Sequence, residues 1–183
     1  MTLQTDIPEA VSARAQYRPP QPEVATAARL PLVIGLGNVY LCDDGAGVHL
    51  VRRLKATLGD GTAFCMDGGL MSLSLYPQVE RASALVLLHC ADTGRAPGSV
   101  DVLEGRAMDD YLRDPRVRSI QERGLIDLLD LARQRACLPV RRALVCIQPK
   151  RLAWGEAMSF PVFQALPVAA SRVGALLERW QAA

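Results

Sequence analysis

The chain has no excess charge of either sign, few aromatic rings and no closely paired cysteines. Its formal net charge is +2, which gives no electrostatic basis for holding nucleic acid or an anionic membrane surface. Aromatic residues make up 5% of the chain, a thin supply for stacking bases. The five cysteines, Cys42, Cys65, Cys90, Cys137 and Cys146, contain no C-x-x-C pair. They read as reduced thiols of a cytoplasmic protein, and Cys65, Cys90 and Cys146 sit in apolar runs as core residues. The H-E-x-x-H zinc pattern and the G-x-S-x-G elbow are also missing, so zincin and serine-hydrolase chemistry find no support. The N-terminus has no continuous apolar core of the secretory type, and no run reads as long and apolar enough to span a bilayer. Neither nucleic-acid binding nor membrane insertion is expected, and no internal repeat is seen.

Half the residues are hydrophobic, enough for one packed domain. The most informative stretch runs Gly35-Leu36-Gly37-Asn38-Val39-Tyr40-Leu41-Cys42-Asp43-Asp44-Gly45-Ala46-Gly47, directly after the apolar Leu32-Val33-Ile34. An apolar strand, a glycine turn and a helix start mark the edge where open α/β sheets place ligands. Phosphate-binding turns there present bare amides and often a lysine. This turn presents two carboxylates, so it repels phosphate and suits a metal or another cation. Tyr40 stands where a dinucleotide fingerprint needs its third glycine, which argues against a nucleotide.

Residues 1–29 differ in composition, with Pro19-Pro20 and Pro22 among Ala, Gln and Glu, and read as a flexible leader before a domain over 30–183. From Leu30 the pattern alternates. Strands are expected at Leu32–Leu36, Thr62–Met66, Ala84–Cys90, Ser99–Leu103 and Ala143–Ile147. Helices are expected at Gly45–Leu58, at Ser72–Val79 with an early break at Pro77, at Glu122–Arg135, and over Pro161–Trp180 with an interruption or start near Pro167. Alternating strands and helices predict a single α/β domain of three layers, a mostly parallel central sheet with flanking helices. Asp43/Asp44, Asp67 and His89/Asp92 then fall just beyond strand ends on one edge of the sheet. Each has a structural reading as well: a helix cap for Asp43 or Asp44, a turn residue for Asp67, a satisfied core imidazole for His89.

The glycine turn is followed in order by Asp67-Gly68-Gly69, Asp92-Thr93-Gly94 with Pro97-Gly98, Gly124-Leu125-Ile126-Asp127-Leu128-Leu129, Ile147-Gln148-Pro149, Trp154-Gly155 and Met158-Ser159. The ordered set resembles the nickel-iron hydrogenase maturation proteases over roughly Leu32 to Trp180. The resemblance implies an aspartic-type endopeptidase of the cytoplasm. It would remove the C-terminal extension of a hydrogenase large-subunit precursor after nickel insertion, sensing nickel carried by that substrate. It further implies catalytic carboxylates at Asp44 and Asp67. The family histidine three residues before the Gly-Leu of the later helix is Gln121 here, and the family Asp at the end of the third strand is His89. An amide oxygen is a poorer nickel donor than imidazole, so His89 is expected to compensate, giving a metal-facing set of Asp44, Asp67 and His89. The departure at Gln121 also admits a protein that binds the precursor without cutting it.

Overall fold

In the computed structural model the described residues are 29–59, 61–70, 73–114 and 120–182, with the side chains of Ile120 and Gln121 outside them. The expected leader lies outside the described residues except for Arg29. Among the described residues the strands are β1 (Leu32–Leu36), β2 (Phe64–Gly69), β3 (Leu85–Cys90), β4 (Val100–Glu104) and β5 (Arg142–Ile147). The helices are α1 (Ala46–Thr57), α2 (Tyr76–Arg81), α3 (Arg106–Arg113), α4 (Ile120–Gln134) and α5 (Phe160–Gln181). The sheet order is β2-β1-β3-β5-β4. All neighbours are parallel except β4, which runs antiparallel to β5. This is the expected single α/β domain.

Strand alternation sorts side chains between two cores. Val86 and Leu88 of β3 join Cys65 of β2 and the apolar faces of α1 and α5. Leu85 and Leu87 join Val79 of α2, Met108 and Leu112 of α3, and Leu125, Leu128 and Leu129 of α4. The central strands β1 and β3 are buried along their whole length, as a sheet covered on both faces requires. α1 lies close on the strand ends because Gly47 has no side chain. A Cβ there would fall 2.2 Å from the Leu88 carbonyl oxygen and 2.4 Å from that of Leu36.

Four local expectations change. Asp67-Gly68-Gly69 is the end of β2 rather than a turn after it. Pro77 lies in the first turn of α2 and starts that helix instead of breaking it, because a first-turn residue has no intrahelical N–H bond to lose. Pro167 lies inside an unbroken α5; its exposed position leaves the freed carbonyl to water. α5 is also, among the described helices, the one long and apolar enough by length and composition to cross a membrane. That corrects the sequence reading. Its apolar residues Val162, Leu166, Ala169, Val173 and Leu177 are packed into the core.

Candidate active site

β1 ends at Leu36, and the chain turns through Gly37 and a 3-10 turn over Cys42–Gly45 into α1. Gly37 has φ of +130°, and a Cβ there would collide with the Asp44 carbonyl. Neither aspartate of the turn caps α1, whose preceding residue is Gly45 with no side-chain bond to the helix end.

Asp43 is fully buried. Its Oδ2 accepts the Lys150 N–H at 2.9 Å, the Arg151 N–H at 2.8 Å and the Ser159 hydroxyl at 2.8 Å; its Oδ1 accepts the Ser159 N–H at 2.6 Å. Burial alone would raise its pKa. The bonds from Ser159, Arg151 and Lys150 outweigh that and hold it below the usual 3.8. The carboxylate therefore ties the loop after β5 to the glycine turn. Backbone bonds reinforce the tie: Cys42 N–H to the Gly155 carbonyl at 2.7 Å and Gly155 N–H to the Tyr40 carbonyl at 2.9 Å. Cys42 itself has φ of +52°, a strained conformation for a residue with a side chain, sustained by this over-determined surround. Ser159, from the Met158-Ser159 motif, thus acquires a defined role that the sequence motif alone does not reveal.

Asp44 is nearly buried and accepts the Asn38 N–H at 2.7 Å. His89 shares a sheet face with Leu85 and Leu87, toward α4. Its side chain is 1% exposed, with Nε2 4.0 Å from Glu122 Oε1. Neither ring nitrogen has a hydrogen-bond partner. Burial lowers the His89 pKa, opposed by the nearby charges of Glu122 and Asp44, so the imidazole is neutral at neutral pH and its lone pair is available. The His89 ring therefore senses the charge of Asp44 and, first, that of a residue the sequence does not single out, the buried Glu122. The Tyr111 hydroxyl donates to Glu122 Oε1 at 3.3 Å. Burial, with the nearby Glu122 charge adding to it, pushes the Tyr111 pKa up, so it remains a donor. Tyr111 also lines an open cavity of about 480 Å³ whose rim carries Asp92, Thr93, Arg95 and Asp101. Burial pushes the Cys90 and Cys146 thiols far up, which keeps both protonated near neutral pH.

Asp67 stands apart. It shares the α1 face of β2 with buried Cys65, and its Oδ2 is held by Arg52 at 2.8 Å while its Oδ1 accepts the Gly69 N–H at 3.0 Å. His89 faces the opposite side of the sheet, with β1 lying between β2 and β3. Among the described residues no three His, Cys, Asp or Glu side chains stand close enough to hold a metal ion. The expected set of Asp44, Asp67 and His89 is therefore not assembled, because strand alternation sends Asp67 and His89 to different faces. His49, on α1, senses Arg52 and Asp67 rather than the His89 group. Asp92 accepts the Gly94 N–H and a bond from Gln148 Nε2, so it shapes the loop after β3. The Gln121 side chain lies outside the described residues.

The chain matches the family model described as hydrogenase maturation protease over residues 48–175. It is 32% identical over 152 residues to the hydrogenase expression/formation protein HupM of Azotobacter chroococcum, spanning 81% of this chain and 72% of that one. To the hydrogenase expression/formation protein HoxM of Cupriavidus necator it is 28% identical over 151 residues, spanning 81% and 74%. Its structure is similar to that of the hydrogenase maturating endopeptidase HybD from E. coli, with a TM-score of 0.76 and 25% identity over 83% of this chain and 93% of that one. The ordered motifs, the sheet that carries them and these likenesses agree: the chain belongs to the hydrogenase maturation protease family.

Proposed function

We propose that this protein is a cytoplasmic endopeptidase that removes the C-terminal extension of a nickel-iron hydrogenase large-subunit precursor once nickel has been inserted. The observation that carries this reading is the neutral, buried His89 imidazole, without a hydrogen-bond partner on either nitrogen, at the sheet edge where the Asp44 turn also lies. A buried polar ring left unsatisfied costs stability, and a substrate-borne metal would supply the missing partner. Nickel arriving with the precursor would register the scissile peptide by charge and ligation. Hydrolysis then needs water added to the carbonyl carbon, with its proton ending on the departing amine. Asp44 is the carboxylate at this edge, and the reading gives it the task of orienting that water and accepting its proton. An Asp44–Asp67 dyad sharing one proton requires close approach, and Asp67 is engaged by Arg52, so Asp67 is assigned to the rim of the cleft.

The test is to incubate purified protein with nickel-loaded and nickel-free precursor and follow release of the C-terminal peptide by mass spectrometry. Release from the loaded form alone is the expected result. Gln121, standing at the family histidine position, favours a second reading, a checkpoint protein that binds the loaded precursor without cutting. A stable complex with no peptide released would establish that reading.

A further inference from the structure

We infer that the apolar surface made by the start of α5 and the loop before it is the face on which the body of the hydrogenase precursor docks; the inference rests on the maturation reading above and says where that partner sits. A surface helix of a domain needs one apolar face, and α5 has a second. Val162, Leu166, Ala169 and Val173 fill the core. Turned away from them, Phe160 is 70% exposed and Phe163 60%, with Pro167 and Val168 exposed one turn further on. The loop before the helix adds Leu152 and, from the Trp154-Gly155 motif, Trp154 at 84%. A single exposed apolar side chain needs no explanation. Several large ones on one helix start and its loop mark a surface that a partner covers.

Their place says which partner. Gly155, next to Trp154, donates to the Tyr40 carbonyl and accepts from the Cys42 N–H. Ser159, next to Phe160, is held by Asp43. The exposed rings are therefore fixed to the turn that carries Asp44, and Tyr40, itself exposed, extends them onto that turn. Whatever seats here stands beside the proposed reacting edge, as the substrate must. A second copy of this chain in the same place would crowd the entrance to Asp44. A helix lying on a membrane carries Lys and Arg along its polar face, whereas no charged residue occurs from Phe160 to Ser171. Aromatic rings without charge at the centre, with exposed Lys150, Arg151 and Glu156 around them, have the composition of a protein–protein interface with its polar rim. The Asp43 tie then has a purpose beyond stability: it sets the distance between the docked partner and Asp44.

The experiment uses the full-length protein with Trp154→Ser and Phe163→Ser, and Val140→Ser as a control on an exposed apolar residue just before β5, at the opposite edge of the sheet. Affinity for nickel-loaded precursor is read from the protein concentration that half-saturates single-turnover release of the C-terminal peptide, or by calorimetry where no peptide is released. Trp154→Ser and Phe163→Ser should each weaken binding at least about tenfold, with the rate at saturation within about twofold of wild type, and Val140→Ser should change neither. Urea unfolding checks that each variant is folded, and if one is not, the other decides. Wild-type affinity in the folded variants overturns the proposal. A wild type that sediments as a dimer while Phe163→Ser sediments as a monomer overturns it in favour of a second copy. Co-sedimentation of the wild type with phosphatidylcholine–phosphatidylglycerol vesicles, lost in Phe163→Ser, overturns it in favour of a lipid surface. Precursor bound through these residues with no peptide released would retain the docking face and reject the protease reading. Release that half-saturates at the wild-type concentration in both variants would do the reverse.

Discussion

At the end of β1, the two oxygens of Asp43 are met by four donors from the loop after β5. One strand away, at the end of β3, the two nitrogens of His89 are met by none. Both groups are buried and polar and lie at the same sheet edge. Their difference separates two uses of a buried polar side chain. A saturated group lowers the energy of the folded chain by holding segments together. An unsaturated one raises it, and is sustained by the surrounding core until a ligand completes it. Asp43 and Asp44 are chemically alike and adjacent, yet only Asp44 is left near the unsaturated ring.

The largest expected effect falls on the saturated side. Asp43→Ala strands buried N–H groups of Lys150, Arg151 and Ser159, and should cost roughly 3–5 kcal/mol in urea unfolding at neutral pH. The strained Cys42 turn should loosen with it, and activity should disappear because the fold around Asp44 is lost. A variant of near wild-type stability would show that the loop is held by its backbone bonds alone.

The unsaturated side should respond in the opposite way. His89→Leu replaces an unpartnered buried ring with an apolar side chain, and its stability should stay within about 1 kcal/mol of wild type or exceed it. Peptide release from the nickel-loaded precursor should fall by at least about a hundredfold. A loss of more than about 2 kcal/mol would make His89 a core-packing residue and erase the contrast with Asp43.

The contrast also has a pH signature. The folded Asp43 pKa is depressed, so the stability it contributes is fully present above 3.8 and is lost as pH falls through the lower folded value. The stability gap between wild type and Asp43→Asn should be constant from neutral pH down to about that point and narrow below it. A gap that shrinks already near pH 6 would assign the effect to another group.

The fold was legible because its signals are local. Continuous apolar strands, the glycine turn and the spaced leucines of α4 each report on their own segment. α3 was missed although Met108, Tyr111 and Leu112 have helical spacing, because the charged residues among them hide a short apolar face. The site was legible only in part. Asp43 and Asp44 cannot be told apart without knowing that residues more than a hundred positions later fold back onto one of them. Glu122 looks like a solvated first-turn acid until α4 is seen docked on the end of β3. The face on which Asp67 lies depends on β2 running through Gly69 as a strand, where the paired glycines suggest a turn. A scan for acids beside the Gly-Leu helix motif would have found Glu122.

The smallest expected effect is at Asp67, and it tests whether the unsaturated group is the whole of the chemistry. The Asp67–Arg52 pair is short but exposed, with the Asp67 side chain 39% and the Arg52 side chain 56% accessible. Water and salt screen such a pair, so Asp67→Asn should change stability by less than about 1 kcal/mol. The amide can still accept the Gly69 N–H, which preserves the end of β2. Since Asp67 faces α1 and His89 faces α4, removing this charge should leave precursor cleavage within about threefold of wild type, the remainder coming from weaker long-range attraction for a cationic substrate. That remainder should vanish at high salt. Abolished cleavage in a folded Asp67→Asn would restore Asp67 to the reacting group and require the precursor to bridge both faces of the sheet edge.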